Sequence, residues 1–182
     1  MTRSDAMEIT VAGSGAWGTA LALLLRDNGH RVRLWSHRAE TAELLARTRE
    51  NPLLPGVLLP RDIEVTEDLS AAAHAALVVC AVPSFAVRET AEKLAPLLQR
   101  DAVLVSVTKG IERGTSLRMS QILGEVTGRP VAAISGPTHA EEVSRGIPSG
   151  CVVAAENAGL AEQIQDVFMS QTFRVYAGED LV

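Results

Sequence analysis

Short aliphatic runs alternate with longer amphipathic ones along this chain, and the two kinds differ in period. "EITVAG" (8–13), "HRVRLWS" (30–36), "AALVVCAVP" (75–83), "AVLVSVTKG" (102–110), "PVAAISGP" (130–137), "GCVVAAE" (150–156) and "TFRVYAG" (172–178) have the length and aliphatic content of buried strands. Between them lie runs with helical spacing: "AWGTALALLLRDNG", "RAETAELLARTREN", "SFAVRETAEKLAPLL", "TSLRMSQILGEV", "THAEEVSRG" and "NAGLAEQIQDVFM". Glycine marks the exit of the first helix, and proline stops the second before "NPLLPG". Continuous aliphatic strands alternating with helices predict a doubly wound α/β fold, with a mostly parallel sheet covered by helices on both faces. The stretch "NPLLPGVLLPRDI" (51–63) holds prolines and a glycine but many aliphatics, so it reads as an ordered connection packed against the domain. No fixed-period repeat, low-complexity tract or interdomain linker interrupts the pattern, and the last units are expected to extend the same sheet.

Bulk properties narrow the partners. The chain has 182 residues, enough for one domain with a core that needs no disulfide or structural metal. A formal charge of −5 supplies no broad basic surface for nucleic acid, which favours small acids and nucleotides as ligands. The two cysteines, Cys80 and Cys151, lie in or near strand-like runs without CxxC spacing, so free buried thiols and a cytoplasmic setting are expected. The leader "MTRSDAM" is polar where a signal peptide needs an apolar region, and no run reaches the roughly 20 apolar residues of a membrane span. The four histidines show no metal-ligand spacing with the cysteines or carboxylates, and no GxSxG or Walker motif is present.

The chemistry concentrates in three loops that follow strands. In "VAGSGAWGTALA", Gly13 can make the tight turn, Gly15 can admit a diphosphate to the backbone, and Gly18 can let the helix pack closely on the sheet. The N–H groups of the helix N-terminus then face a negative ligand. This points to a dinucleotide; a purely structural turn, or another nucleotide-like ligand such as S-adenosylmethionine, is the alternative. Strand two ends in Ser36, His37 and Arg38 rather than in the acid that receives the ribose hydroxyls of NAD. Arg38 could pair with a 2′-phosphate, which brings in NADP without excluding NAD. Trp17 either covers a ligand beside the turn or plugs the seam between helix and sheet.

In "CAVPS", Pro83 limits loop freedom and Ser84 is expected to cap the next helix. Lys109, at the end of "VLVSVTKG", can hold a substrate phosphate or stabilise a developing alkoxide, while Gly110 relieves crowding. In "ISGPTHAEEV", Gly136 is expected to give access, Pro137 to stiffen the turn, and Thr138 to cap the following helix while offering its hydroxyl to a ligand. His139 has no sequence-evident orienting acid, and Glu141 and Glu142 are ordinary early-helix carboxylates.

The set "GSGAWGTALA", "NPLLPG", "VVCAVPS", "VSVTKGIE", "ISGPTHAEEV" and "FRVYAGEDLV", in that order, resembles the N-terminal nucleotide-binding domain of the bacterial NAD(P)-dependent glycerol-3-phosphate dehydrogenases. The resemblance implies a Rossmann-like fold and a domain that spans 1–182. It implies cofactor contacts at Gly13, Gly15, Ala16, Trp17, Gly18, His37 or Arg38, Lys109 and Ala140. Lys109, Gly136 and Thr138 become substrate-binding, with Lys109 in a supporting catalytic part that orients substrate. Ala16 stands where the fingerprint commonly has serine, and His139 where phenylalanine is common. The implied activity is reversible hydride transfer between sn-glycerol 3-phosphate and dihydroxyacetone phosphate with NAD(P), feeding glycerolipid synthesis. A helical C-terminal domain bearing the main acid–base lysine is expected beyond Val182, which leaves this chain with little or no turnover on its own, with self-association one way to cover its exposed faces. Another two-domain NAD(P) dehydrogenase and a non-catalytic nucleotide-sensing module are the competing readings.

Overall fold

The computed structural model describes residues 6–178 together with 180 and 181. The start of the polar leader, 1–5, and Glu179 and Val182 of the late "FRVYAGEDLV" stretch lie outside the described residues. The strands are β1 (Glu8–Ala12), β2 (Arg31–Trp35), β3 (Glu64–Thr66), β4 (Leu77–Cys80), β5 (Val103–Ser106), β6 (Val131–Ser135), β7 (Ser149–Ala155) and β8 (Phe173–Gly178). They form one sheet in the order β3-β2-β1-β4-β5-β6-β7-β8. Every neighbouring pair is parallel except β6 and β7, where Ala132 pairs with Ala155 and Ser135 with Val152. From β1 the chain builds outward to β3, then returns to start β4 on the other side of β1. That reversal opens a crevice beyond the carboxyl ends of β1 and β4, the usual ligand position in such sheets.

The helices are α1 (Ala16–Asp27), α2 (Ala39–Thr48), α3 (Val87–Leu94), α4 (Met119–Thr127), α5 (Ala140–Val143) and α6 (Ala158–Phe168). Alternation along the strands divides the core between two faces. Ile9 and Val11 of β1 join Leu21 and Leu25 of α1 and Ile164 and Phe168 of α6. Ala12, Trp35 and Cys80 join Val87, Ala91 and Leu94 of α3 and Ile122 and Leu123 of α4 on the other face. Successive strand residues point to opposite sides, so one aliphatic run feeds both layers. The unbroken burial of α1 from Gly18 to Leu25 has a separate cause: the helix lies between the sheet and α5 with α6, so it has almost no solvent face. The last unit is tied to the first at the base of the sheet. Asn28 Nδ2 donates to the Val167 carbonyl at 2.9 Å, and the Met7 N–H donates to Nδ1 of buried His30 at 3.3 Å.

Two expectations change. The proline-rich connection is ordered, but it leads into a short edge strand, β3, and a 3₁₀ turn over Leu69–His74 that the sequence pattern did not signal. The fourth helix begins at Met119 rather than Thr115, because Ser116 takes a left-handed φ of 60° and Ile111 bridges Arg118. That closes a small loop where continued helix was expected. Arg49, itself left-handed at φ 58°, stitches the 50–63 connection together by donating to the carbonyls of Leu59, Pro60 and Ile63.

Candidate functional site

The glycine-rich turn is shaped by two glycines and left open at the third. Gly13 has φ 126°, and a Cβ there would lie 2.6 Å from the Ala81 carbonyl oxygen. A Cβ on Gly18 would lie 1.8 Å from the Gly13 carbonyl oxygen, so α1 can start this close to β1 only without a side chain at Gly18. Gly15 differs: its backbone is ordinary, at φ −66°, and a Cβ would meet nothing within 4 Å. Gly15 is also the N-cap of α1, with no side chain bonded to the first N–H groups, so those donors face open space. The turn is anchored from behind. The Gly13 N–H donates to the Trp35 carbonyl at 3.0 Å, and Ser14 Oγ donates to Ser36 Oγ at 2.9 Å. Buried Asn51, first residue of "NPLLPG", donates from Nδ2 to the Ser14 carbonyl (3.0 Å) and to Thr19 Oγ1 (2.7 Å), while its Oδ1 accepts from the Leu53 N–H.

A cavity of about 880 Å³ runs along the carboxyl ends of the strands from this turn. One end is bounded by Ser36, His37 and Arg38 after β2 together with Phe85, Glu89 and Lys93 leading into and along α3. The other end holds Thr108 and Lys109 after β5, and Thr138, His139 and Ala140 after β6. The Thr108 hydroxyl donates to the Val82 carbonyl at 2.7 Å, fixing the β5 exit to the β4 exit. A second clamp lies just beyond: Arg88 donates two bonds to Glu112, at 2.7 and 2.8 Å, and Thr115 adds a third. The Arg88 guanidinium, helped by Thr115, holds the Glu112 carboxyl down to about 2. Lys109 itself is exposed, and its Nζ donates to the Gly136 carbonyl at 3.1 Å, the same oxygen that accepts the Thr138 N–H at 3.0 Å.

Residues 8–161 match the model of the family described as NAD-dependent glycerol-3-phosphate dehydrogenase N-terminus. The chain belongs to that family. It is 52% identical over 176 residues to a glycerol-3-phosphate dehydrogenase [NAD(P)+] of Moorella thermoacetica, covering 96% of this chain and 52% of the relative. A relative of the same name from Pelotomaculum thermopropionicum is 49% identical over 181 residues, again covering 96% of this chain and 52% of the relative. Among solved structures, glycerol-3-phosphate dehydrogenase from Coxiella burnetii superimposes with a TM-score of 0.91 at 31% identity, covering 97% of this chain and 55% of that one. The chain thus spans about half the length of the curated relatives it matches.

Within this family frame, most of the residues singled out from sequence come together. Gly13, Gly15, Ala16, Trp17, His37, Arg38, Lys109, Thr138 and Ala140 all line the one cavity. Gly18 and Gly136 do not line it; they act by letting backbones approach. A Cβ on Gly136 would lie 2.9 Å from Cys151 Cα and 3.0 Å from the Gly150 carbonyl oxygen, so this glycine serves the close contact of β6 with β7. Trp17 packs against the core and also lines the cavity. The two expected side-chain caps are absent. Ser84 enters a 3₁₀ turn, Ser84–Ala86, so α3 starts later with Ala86 at its N-cap. His139, not Thr138, is the N-cap of α5, and its side chain makes no capping bond. Sequence reasoning missed Phe85, Glu89 and Lys93: α3 reads as an ordinary amphipathic helix. The available signal was its place, since a helix that starts at the carboxyl end of β4 must flank the crevice with its first turns.

Proposed function

We propose that this chain binds NAD(P) along the cavity and forms the cofactor-binding half of an oxidoreductase that interconverts sn-glycerol 3-phosphate and dihydroxyacetone phosphate. The observation that carries the reading is Gly15: unstrained, unobstructed, and set at the uncapped start of α1 in a chain of this family. A glycine there has no backbone requirement, and the space a Cβ would fill is where a diphosphate meets the helix N–H groups. The cavity extends from this point in both directions, as an extended dinucleotide requires. Ser36, His37 and Arg38 would face the adenosine ribose, and Arg38 suits a 2′-phosphate.

When bound, the nicotinamide supplies the hydride chemistry. Lys109 would place a cation at the substrate end, where it orients a phosphorylated substrate and stabilises charge on the reacting oxygen, with Gly136 and Thr138 beside it. Its Nζ is bonded to a backbone carbonyl, and no carboxylate lines the cavity beside it, so Lys109 is given a charge-stabilising part and not that of the acid–base group. Turnover then depends on the half of such proteins that this chain does not cover. Buried free thiols at Cys80 and Cys151, pushed up to about 11 and about 12 by burial, suit a cytoplasmic setting. No helix among the described residues is long and apolar enough to cross a membrane.

The test is a titration of the chain with NAD, NADP and their reduced forms, joined to a turnover assay of the same sample. Binding of at least one pair, with no glycerol-phosphate-dependent reduction, is expected. Failure of all four to bind overturns the cofactor reading, and appreciable turnover by the chain alone overturns the division of labour.

A further inference from the structure

We propose that Glu89 and Lys93 of α3 set the choice between the 2′-hydroxyl and 2′-phosphate dinucleotides, Glu89 disfavouring the phosphate and Lys93 offsetting it. The inference rests on the dinucleotide reading above and names a selectivity determinant within that site. It starts from the distribution of charge on the cavity wall. Among the described residues that line the cavity, Glu89 is the one carboxylate, and the cations are Arg38, Lys93 and Lys109. Lys109 belongs to the far end, after β5. At the adenosine end, β2 finishes in Ser36, His37 and Arg38, with no acid to receive ribose hydroxyls. The acid arrives instead from the opposite wall, on α3.

Glu89 and Lys93 are one helical turn apart, and Lys93 Nζ donates to Glu89 Oε1 at 2.6 Å. A pair at this spacing usually braces the solvated side of its helix. Here both members line the cavity, as do Phe85 and Thr90 around them, so the pair is on the ligand side of α3. His37 lies close enough across the cavity to act on Glu89: Lys93 first, and His37 more weakly, hold the Glu89 carboxyl below its usual range. The carboxylate therefore stands opposite the loop that would carry the ribose. A 2′-phosphate brought there meets Arg38 in its favour and Glu89 against it. The side chains of Glu89 and Lys93 are 64% and 48% exposed, and an exposed pair of this kind is weakly bound, so Lys93 is free to exchange its carboxylate for a phosphate.

The two groups predict opposite shifts. For charges several Å apart at a wetted protein surface, each step should change the ratio of NADP to NAD affinity by about 3- to 10-fold. Titration of the chain with both nucleotides should show Glu89→Gln raising that ratio, Lys93→Met lowering it, and the double variant returning near the starting ratio. Glu89→Lys should raise it further still, and all shifts should shrink in 0.5 M salt. Melting curves confirm that each variant is folded; both side chains are exposed, and neither belongs to the core. A ratio that stays fixed in Glu89→Gln and Glu89→Lys, or that falls, overturns the proposal, including the case where only the melting temperature moves. If the unaltered chain binds none of the nucleotides, the dinucleotide reading fails first, and this inference with it.

Discussion

The two ends of the cavity are built in different ways. At the glycine-rich turn, position is set by backbone: Gly13 and Gly18 interlock at distances no side chain tolerates, and Asn51 fastens the loop from behind. At the Lys109 end, the scaffold below is fixed by Thr108 and by the Arg88–Glu112 clamp, but the Lys109 side chain is exposed and held by one bond to the Gly136 carbonyl. A diphosphate site can be complete within one domain because its donors are main-chain N–H groups. On the proposed reading, Lys109 would supply one wall of a substrate site.

The comparison is broken most severely at Gly18. Gly18→Ala places a methyl group 1.8 Å from a backbone oxygen, which no side-chain rotation relieves, so α1 must shift relative to β1. Overpacking of this kind should destabilise the fold by about 3 kcal/mol or more, read as a lower midpoint in denaturant unfolding. A midpoint equal to that of the unaltered chain would refute the interlock. Gly15→Ala sharpens the contrast three residues away. There the added methyl meets nothing and the backbone is unstrained, so stability should change by less than about 0.5 kcal/mol. Dinucleotide affinity should nevertheless fall by about tenfold or more, because the methyl occupies the approach to the helix N–H groups. A destabilised Gly15→Ala with normal affinity would mean the glycine is structural and the open space is not the ligand's.

This contrast also separates what was legible in the sequence from what was not. The glycine turn was legible because its spacing follows one known geometry, strand into helix, although the atoms that crowd Gly13 belong to Ala81, distant in sequence. The aliphatic strands were legible because burial on both faces leaves an uninterrupted pattern. β3 was not: Glu64–Thr66 is a three-residue edge strand with partly exposed side chains, and it follows a run of prolines, so no alternation has room to develop. The caps assigned to Ser84 and Thr138 failed because a capping bond depends on the φ and ψ of one residue: at Ser84 the chain tightens into a 3₁₀ turn, and after Thr138 it stays extended through His139, which takes the N-cap position. The steric pressure on Gly136 was not legible in the sequence. The pressure on it comes from Cys151, a residue distant in sequence on an antiparallel neighbour that the pattern could not place. Phe85, Glu89 and Lys93 were hidden by a similar limit: which face of α3 and of the turn before it meets the cavity is decided by tertiary packing and not by the local pattern.

The smallest effect belongs to Lys109. Lys109→Met removes an exposed cation with one carbonyl contact, so the fold should keep its stability within about 0.5 kcal/mol. On the proposed reading, the diphosphate of the dinucleotide would sit at the glycine-rich turn, apart from this side chain. Affinity should fall only about 2- to 5-fold at low ionic strength, and by less as salt is raised. In Gly15→Ala, by contrast, the loss comes from blocked contact and should persist in salt. Comparing the two variants at two ionic strengths therefore separates a backbone site from a single long-range charge. A Lys109→Met variant that loses binding as completely as Gly15→Ala would place Lys109 among the residues that hold the dinucleotide. The cavity would then be one continuous cofactor site instead of a cofactor site with an adjoining substrate wall.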